Sequence, residues 1–185
     1  MSKNEIRRDV LARRDAIPGD VRIEKALLAA EHALALPTLA DLMPGTIVAG
    51  FLPIRSEIDA RPLMDALRAA GARLCLPAVV DRETIEFREL LRTAELVDTG
   101  FGTVGPGADA TVLDPDILVM PLAAFDRRGN RLGYGAGHYD RALARLPDAT
   151  TVGLAFAEQE VDQVPSEPHD VALHAVATDS GSFEV

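Results

Sequence analysis

The stretch RRGNRLGYGAGHYDRAL, residues 127–143, holds four glycines, at 129, 133, 135 and 137. An apolar run, DILVMPLAAFD, precedes it and a short helical pattern, YDRALARL, follows. Strand, glycine-rich loop and helix in that order form an anion site: glycines let successive backbone N–H groups turn toward one anion, and the helix adds its positive end. The spelling matches neither common fingerprint. A Walker A loop ends in Gly-Lys-Ser/Thr and this one has no lysine; a dinucleotide loop reads G-x-G-x-x-G and this one reads G-x-G-x-G. Arg131 would close on phosphate oxygens with a bidentate fork. Asp140 is the unexpected member, because a carboxylate beside a phosphate is repulsive unless a cation lies between them. It either holds Mg²⁺ together with substrate phosphates or complements the helix N-terminus.

A second set of cations lies at the other end of the chain. The first 25 residues contain Lys3, Arg7, Arg8, Arg13, Arg14, Arg22 and Lys25. On a helical wheel at about 100° per residue, Lys3, Arg7 and Arg14 fall within about 40° of one another, on the side marked by Ile6, Val10 and Leu11. A surface helix ordinarily turns its cations away from its apolar stripe. Either these three snorkel at the edge or they face a buried anion. Further on, FLPIRSEID places Glu57 just past a buried strand, as a ligand-bonding carboxylate or a solvated loop acid. Gln159, His169 and Asp170 follow another strand. The adjacent His169 and Asp170 suit acid–base work, yet no serine elbow or cysteine nucleophile completes a triad, and no His/Cys cluster has zinc spacing.

These residues need a frame. Helices are expected over 4–16, 21–36, 60–70 and 139–146, with Asp59 as N-cap of the third and Gly71 just past its end. Strands are expected at 46–54, in RLCLPAVV and IEFREL, over DILVMPLAAF, and in TVGLAF and HAVATD. Alternating strands and helices predict an α/β sheet covered on both faces, with the ligand site beyond the strand carboxyl ends.

The chain has 185 residues, 48 % apolar and 26 % charged, which suits one domain, 1–185, with a full core. A net charge of −10 argues against attraction to nucleic acid or an anionic membrane, so local cations are expected to serve a small anion. No apolar run is long enough for a membrane span and no signal core opens the chain; with one cysteine, Cys75, a cytoplasmic location is expected.

Taken together, the motifs resemble the 5-formyltetrahydrofolate cyclo-ligase family, also called methenyltetrahydrofolate synthetases. The likeness runs nearly end to end: KNEIRRDVLARRDAI to its opening helix, GFLPIRSEID to its strand and acid, LPAVVDRETIEF to its central hairpin, MPLAAFDRRGNRLGYGAGHYDR to its signature, VGLAFAEQEVDQVPSEPHDVALHAVATD to its closing segment. The resemblance implies a three-layer α/β/α domain around a mixed, largely parallel sheet; a monomer is expected. It implies conversion of 5-formyltetrahydrofolate and ATP, with Mg²⁺, to 5,10-methenyltetrahydrofolate, ADP and phosphate, through phosphorylation of the formyl oxygen. On it, Lys3, Arg7, Arg131 and the loop Gly133, Tyr134, Gly135, Ala136, Gly137, His138 and Tyr139 would bind ATP. Asp140 would hold Mg²⁺, and Glu57 and Tyr139 would meet the folate. Gly105, in GTVGPG, stands where the family commonly has Glu, and His138 where Tyr is frequent. A nucleotide- or folate-binding domain without turnover, and a sugar-phosphate isomerase, are the other readings of the same residues.

Overall fold

The computed structural model describes residues 1–185 apart from Phe101, Pro168 and His169. In chain order the helices are α1 (Lys3–Asp15), α2 (Gly19–Leu34), α3 (Pro37–Ala40), α4 (Arg61–Ala69) and α5 (His138–Arg145). The strands are β1 (Ile47–Ala49), β2 (Arg73–Val79), β3 (Ile85–Glu89), β4 (Leu96–Gly100), β5 (Thr103–Pro106) and β6 (Val112–Leu113). They continue with β7 (Ile117–Met120), β8 (Ala124–Phe125), β9 (Arg131–Leu132), β10 (Thr150–Leu154), β11 (Ala175–Thr178) and β12 (Gly181–Glu184).

An eight-stranded sheet runs in the order β12-β11-β10-β7-β1-β2-β3-β6. Its centre, β11 through β2, is parallel; β12, β3 and β6 are each antiparallel to a neighbour. The sheet is therefore mixed and largely parallel. Successive residues of β7 face opposite layers: Val119 joins the core under α2 and α4, while Leu118 and Met120 join the core under α5. That alternation, with both faces buried, makes three layers.

Two expected strands are shorter than the apolar runs that suggest them. The run DILVMPLAAF breaks at Pro121, which has no N–H to give a ladder; β8 leaves the sheet and pairs with β9 instead. The run at 46–54 stops at Ala49, where a Cβ on Gly50 would lie 2.2 Å from Met64 Sδ of α4. Past Gly50 the chain is free to become the acid loop. The cap of α4 is Ala60 rather than Asp59, although the Asp59 carboxylate accepts the Arg61 N–H two residues on, at 2.9 Å. The β4–β5 hairpin and β12 have no counterpart in the apolar pattern. Leu96, Val97 and Val104 of the hairpin are largely exposed, so no alternation marks it.

Helix α1 lies outside the sheet layers. Ser2 caps it in a capping box with Glu5, fixing where it starts. Ile6 and Val10 pack against Ala124, Leu132 and Val164. This seam, worth about 1.5–3 kcal/mol for each fully buried side chain, lays the helix along the β8–β9 hairpin. Leu132 is the residue just before Gly133, so the packing brings the cations of α1 to the glycine loop.

Candidate active site

A cleft of about 670 Å³ opens at the carboxyl ends of β1, β2 and β7. Strand β1 is followed to one side by β2 and has β7 on the other, so the cleft lies where the sheet order reverses, the usual ligand crevice of an open α/β sheet. Lys3, Arg7, Glu57, Arg131, Asp140 and all residues from Gly133 to Tyr139 line it. Residues 3 and 140 of one chain thus meet across one space.

One end of the cleft is cationic. Gly135, at φ +103°, and Gly137, at φ +68°, give the loop the left-handed turns that an L side chain rarely adopts. Gly137 is the N-cap of α5 and gives it no side-chain cap, so no side chain competes for the first N–H groups of that helix. Arg7 Nε donates to the Gly133 carbonyl at 2.9 Å, tying α1 to the loop. Lys3 Nζ lies 3.1 Å from Glu167 and 3.0 Å from Asp170, a cleft-lining acid, and the bonds from Asp170 foremost hold its ammonium above the usual lysine range.

Arg131 is nearly buried and pairs with Asp140, while also donating to the Val171 carbonyl. Asp140 is about a third exposed and belongs to no cluster of three metal-ligating side chains among the described residues. That donor set does not suit a resident ion. It suits a cation that arrives with most of its oxygens supplied by phosphates.

The basic cluster of residues 127–145 divides. Arg127 pairs with Glu160 and stacks on Phe183, and Arg128 lies over Asp126. Arg141 donates to the carbonyls of Glu83 and Ala136, and Arg145 to that of Ile85. Together with His138, whose Nε2 is 3.1 Å from the Arg82 carbonyl, they fasten the β2–β3 turn to the glycine loop. Only Arg131 of the five reaches the cleft.

The other end is largely apolar and carries Glu57, with Asp15 beside it. Phe51, Leu76, Val79 and Ile85 wall it. Residues 54–57 turn tightly: the Glu57 N–H donates to the Ile54 carbonyl at 3.1 Å, and the Ile54 N–H returns to Glu57 Oε2 at 2.9 Å. Arg55, at the corner, is the one described non-glycine residue with a positive φ, 56°. Burial pushes the Glu57 carboxyl up from its ordinary range, against the opposing pull of the Ile54 N–H, the Tyr134 hydroxyl and Arg14. Tyr139 is raised as well, by burial first and then by Glu57.

Gln159 is fully enclosed away from the cleft. It donates to the carbonyls of Leu122 and Ala123 and accepts the Phe156 N–H, so it braces the chain after β7. His169 lies outside the described residues. Gly105 sits in β5, and a Cβ there would lie 3.4 Å from Thr99 and 3.9 Å from cleft-lining Leu76. Asp15, Ser56 and Asp126 escape the sequence reading. Asp126, completely buried, accepts the N–H groups of Arg128, Asn130 and Val164 and sets the β8–β9 turn. An acid after an apolar run and before Gly129 was the available signal.

The fold and the cleft define an α/β protein whose crevice joins a cationic, glycine-lined end to a largely apolar end that carries Glu57. A model of the 5-formyltetrahydrofolate cyclo-ligase family matches residues 1–179. The 5-formyltetrahydrofolate cyclo-ligase of Escherichia coli strain K12 is 34 % identical over 180 residues, covering 93 % of this chain and 97 % of that one. That of Mycolicibacterium smegmatis is 31 % identical over 187 residues, covering 96 % and 93 %. The 5,10-methenyltetrahydrofolate synthetase of Aquifex aeolicus superposes with a TM-score of 0.84 at 27 % identity, over 100 % of this chain and 93 % of that one. The synthetase of Mycoplasma pneumoniae, at 23 % identity and a TM-score of 0.77, has the same fold. The chain belongs to the 5-formyltetrahydrofolate cyclo-ligase family, a family of enzymes. Among the described residues no helix is long and apolar enough to cross a membrane.

Proposed function

We propose that the protein converts 5-formyltetrahydrofolate and MgATP to 5,10-methenyltetrahydrofolate, ADP and phosphate, as a cytoplasmic monomer. The observation that carries this reading is the meeting, in one cleft, of the α1 cations, the glycine loop with its helix, and an apolar end with Glu57. A triphosphate suits the first end and a pterin ring the second. A sugar phosphate would leave most of the apolar end unfilled.

Phosphoryl transfer asks for alignment and charge neutralisation more than for a covalent helper. The loop N–H groups, the start of α5, Arg7 and Lys3 take the phosphates. Lys3 exchanges the oxygens of Glu167 and Asp170 for those of the nucleotide. Asp140 would hold the Mg²⁺ that enters with ATP, an ion that would neutralise phosphate charge, and Arg131 keeps that carboxylate in place. Glu57 and Tyr139 orient the folate so that its formyl oxygen faces the γ-phosphorus.

The formyl oxygen attacks that phosphorus, the bond to the ADP oxygen breaks, and ADP leaves. The lone pair of N10 then attacks the formyl carbon. Its bond to the phosphorylated oxygen breaks, phosphate departs, and the N10 proton is lost. Phosphorylation turns a poor amide leaving group into a good one.

The test is direct. Purified protein, MgATP and 5-formyltetrahydrofolate should develop the near-UV absorbance of methenyltetrahydrofolate, with one ADP formed per product. No absorbance change and no ADP would sink the reading, and ATP binding without ADP release would make the domain a binding module.

A further inference from the structure

Arg14 differs from the other two cations on its helix face. All three line the cleft, but Lys3 and Arg7 are partly exposed there, whereas Arg14 is 4 % exposed. Its guanidinium is already engaged: Nε donates to Ser56 Oγ at 3.0 Å and Nη1 to the Tyr134 hydroxyl at 2.5 Å, with Cζ 5.7 Å from the Tyr134 ring centre. A buried guanidinium needs anions, and two stand one hydroxyl away. Ser56 donates in turn to Asp15. Tyr134 has a single proton, and its 3.4 Å approach to the Leu122 carbonyl is too long for a good hydrogen bond. Glu57 lines the same cleft as Tyr134 and is the acid whose charge that hydroxyl favours. Donor thus follows donor from α1 through the glycine loop to the acid loop.

We propose that Arg14, whose guanidinium is already engaged in the cleft wall, is a positioning residue: through Tyr134, and by fixing Ser56 next to it in the acid loop, it holds the Glu57 carboxylate where the folate meets it. This rests on the reading of Glu57 as a folate contact. It also separates the three cations by task, two for phosphate and one for the acid at the opposite end.

The groups around Glu57 give the expected sign. Arg14 faces it from α1, Tyr134 from the glycine loop and Tyr139 from α5; Arg55 neighbours it in its own loop. Arg14 and Tyr134 favour the charged carboxylate against burial. Without either, Glu57 keeps its proton to higher pH.

Arg14→Gln and Tyr134→Phe, made in the full chain, test this. The titration of Glu57, read by ¹³C NMR of its carboxyl, should move to higher pH in both, and Arg14→Lys should recover part of the shift. The acid limb of kcat/KM for 5-formyltetrahydrofolate should move with it. KM for the folate should rise about tenfold while KM for ATP stays within about twofold. An unmoved Glu57 titration, or a rise in KM for ATP alone, would overturn the proposal and make Arg14 a structural or phosphate residue. Should Arg14→Gln not fold, Tyr134→Phe carries the test, since it removes one hydroxyl and keeps the ring. Glu57→Gln separates the two readings. If it leaves KM for the folate unchanged, Glu57 is no folate contact and the inference falls with that reading. If it raises KM while the other variants leave the Glu57 titration in place, only the inference falls.

Discussion

Asp140 and Arg131 show how little charge the cleft holds in reserve. Each neutralises the other, so a change at either has two effects. Asp140→Asn should raise KM for MgATP by about 10- to 100-fold, the worth of one charge-assisted bond, and leave thermal unfolding within a few degrees. Arg7→Ala should raise KM for ATP and not for the folate, because Arg7 is anchored on the loop carbonyl of Gly133. Steady-state kinetics with each substrate varied in turn decide both. Glu57 is testable through stability alone. Its carboxyl is raised by burial, so the folded protein holds that proton more tightly than the unfolded chain. The stabilising contribution is complete below the unfolded value and is lost as pH rises through the folded one. The Tm of Glu57→Gln relative to the parent should therefore increase from acid toward neutral pH, and a difference independent of pH would contradict the shift.

At the scale of elements, the glycine loop and α5 act together. Gly137 takes a left-handed φ, and a Cβ there would lie 2.9 Å from the Arg141 guanidinium that fastens the loop to the β2–β3 turn. Gly137→Ala should cost about 1–2 kcal/mol in backbone strain and disturb that fastening. Weaker ATP binding by calorimetry, with folate binding little changed, is the expected outcome. The sequence indicated these elements unevenly. The composition of 127–143 marks the loop, and α4 and β2 follow from their apolar periods because each covers a buried face. The β4–β5 hairpin is invisible, since its apolar side chains face solvent. The length of β7 is misleading, because an apolar run records burial, and the buried residues after Pro121 belong to a different small sheet.

At the scale of the whole molecule, the core is a sheet closed by helices on both faces, and Cys75 sits at its centre. It is wholly buried in β2, and burial pushes its thiol up to about 12. A thiol reagent should leave the native protein unlabelled and react only on unfolding. The labelling rate then reports global opening and should fall when MgATP and folate bind the cleft. Rapid labelling of the native protein would show that the sheet opens locally.

By itself the sequence determined the cation face of α1, the glycine loop without a lysine and the acid past a buried strand. Each is a local pattern, contained in a single element or turn. The tertiary structure decided their use. Packing Ile6 and Val10 on Leu132 and Val164 brings residues 3 and 7 to the loop at 133–137, and no local period encodes which surface covers an apolar stripe. The same packing buries Arg14 against Ser56 and Tyr134 in the cleft wall while leaving Lys3 and Arg7 partly exposed there. Three cations equivalent on a helical wheel thus differ in solvation, and solvation fixes which can meet a phosphate and which must find partners inside the protein.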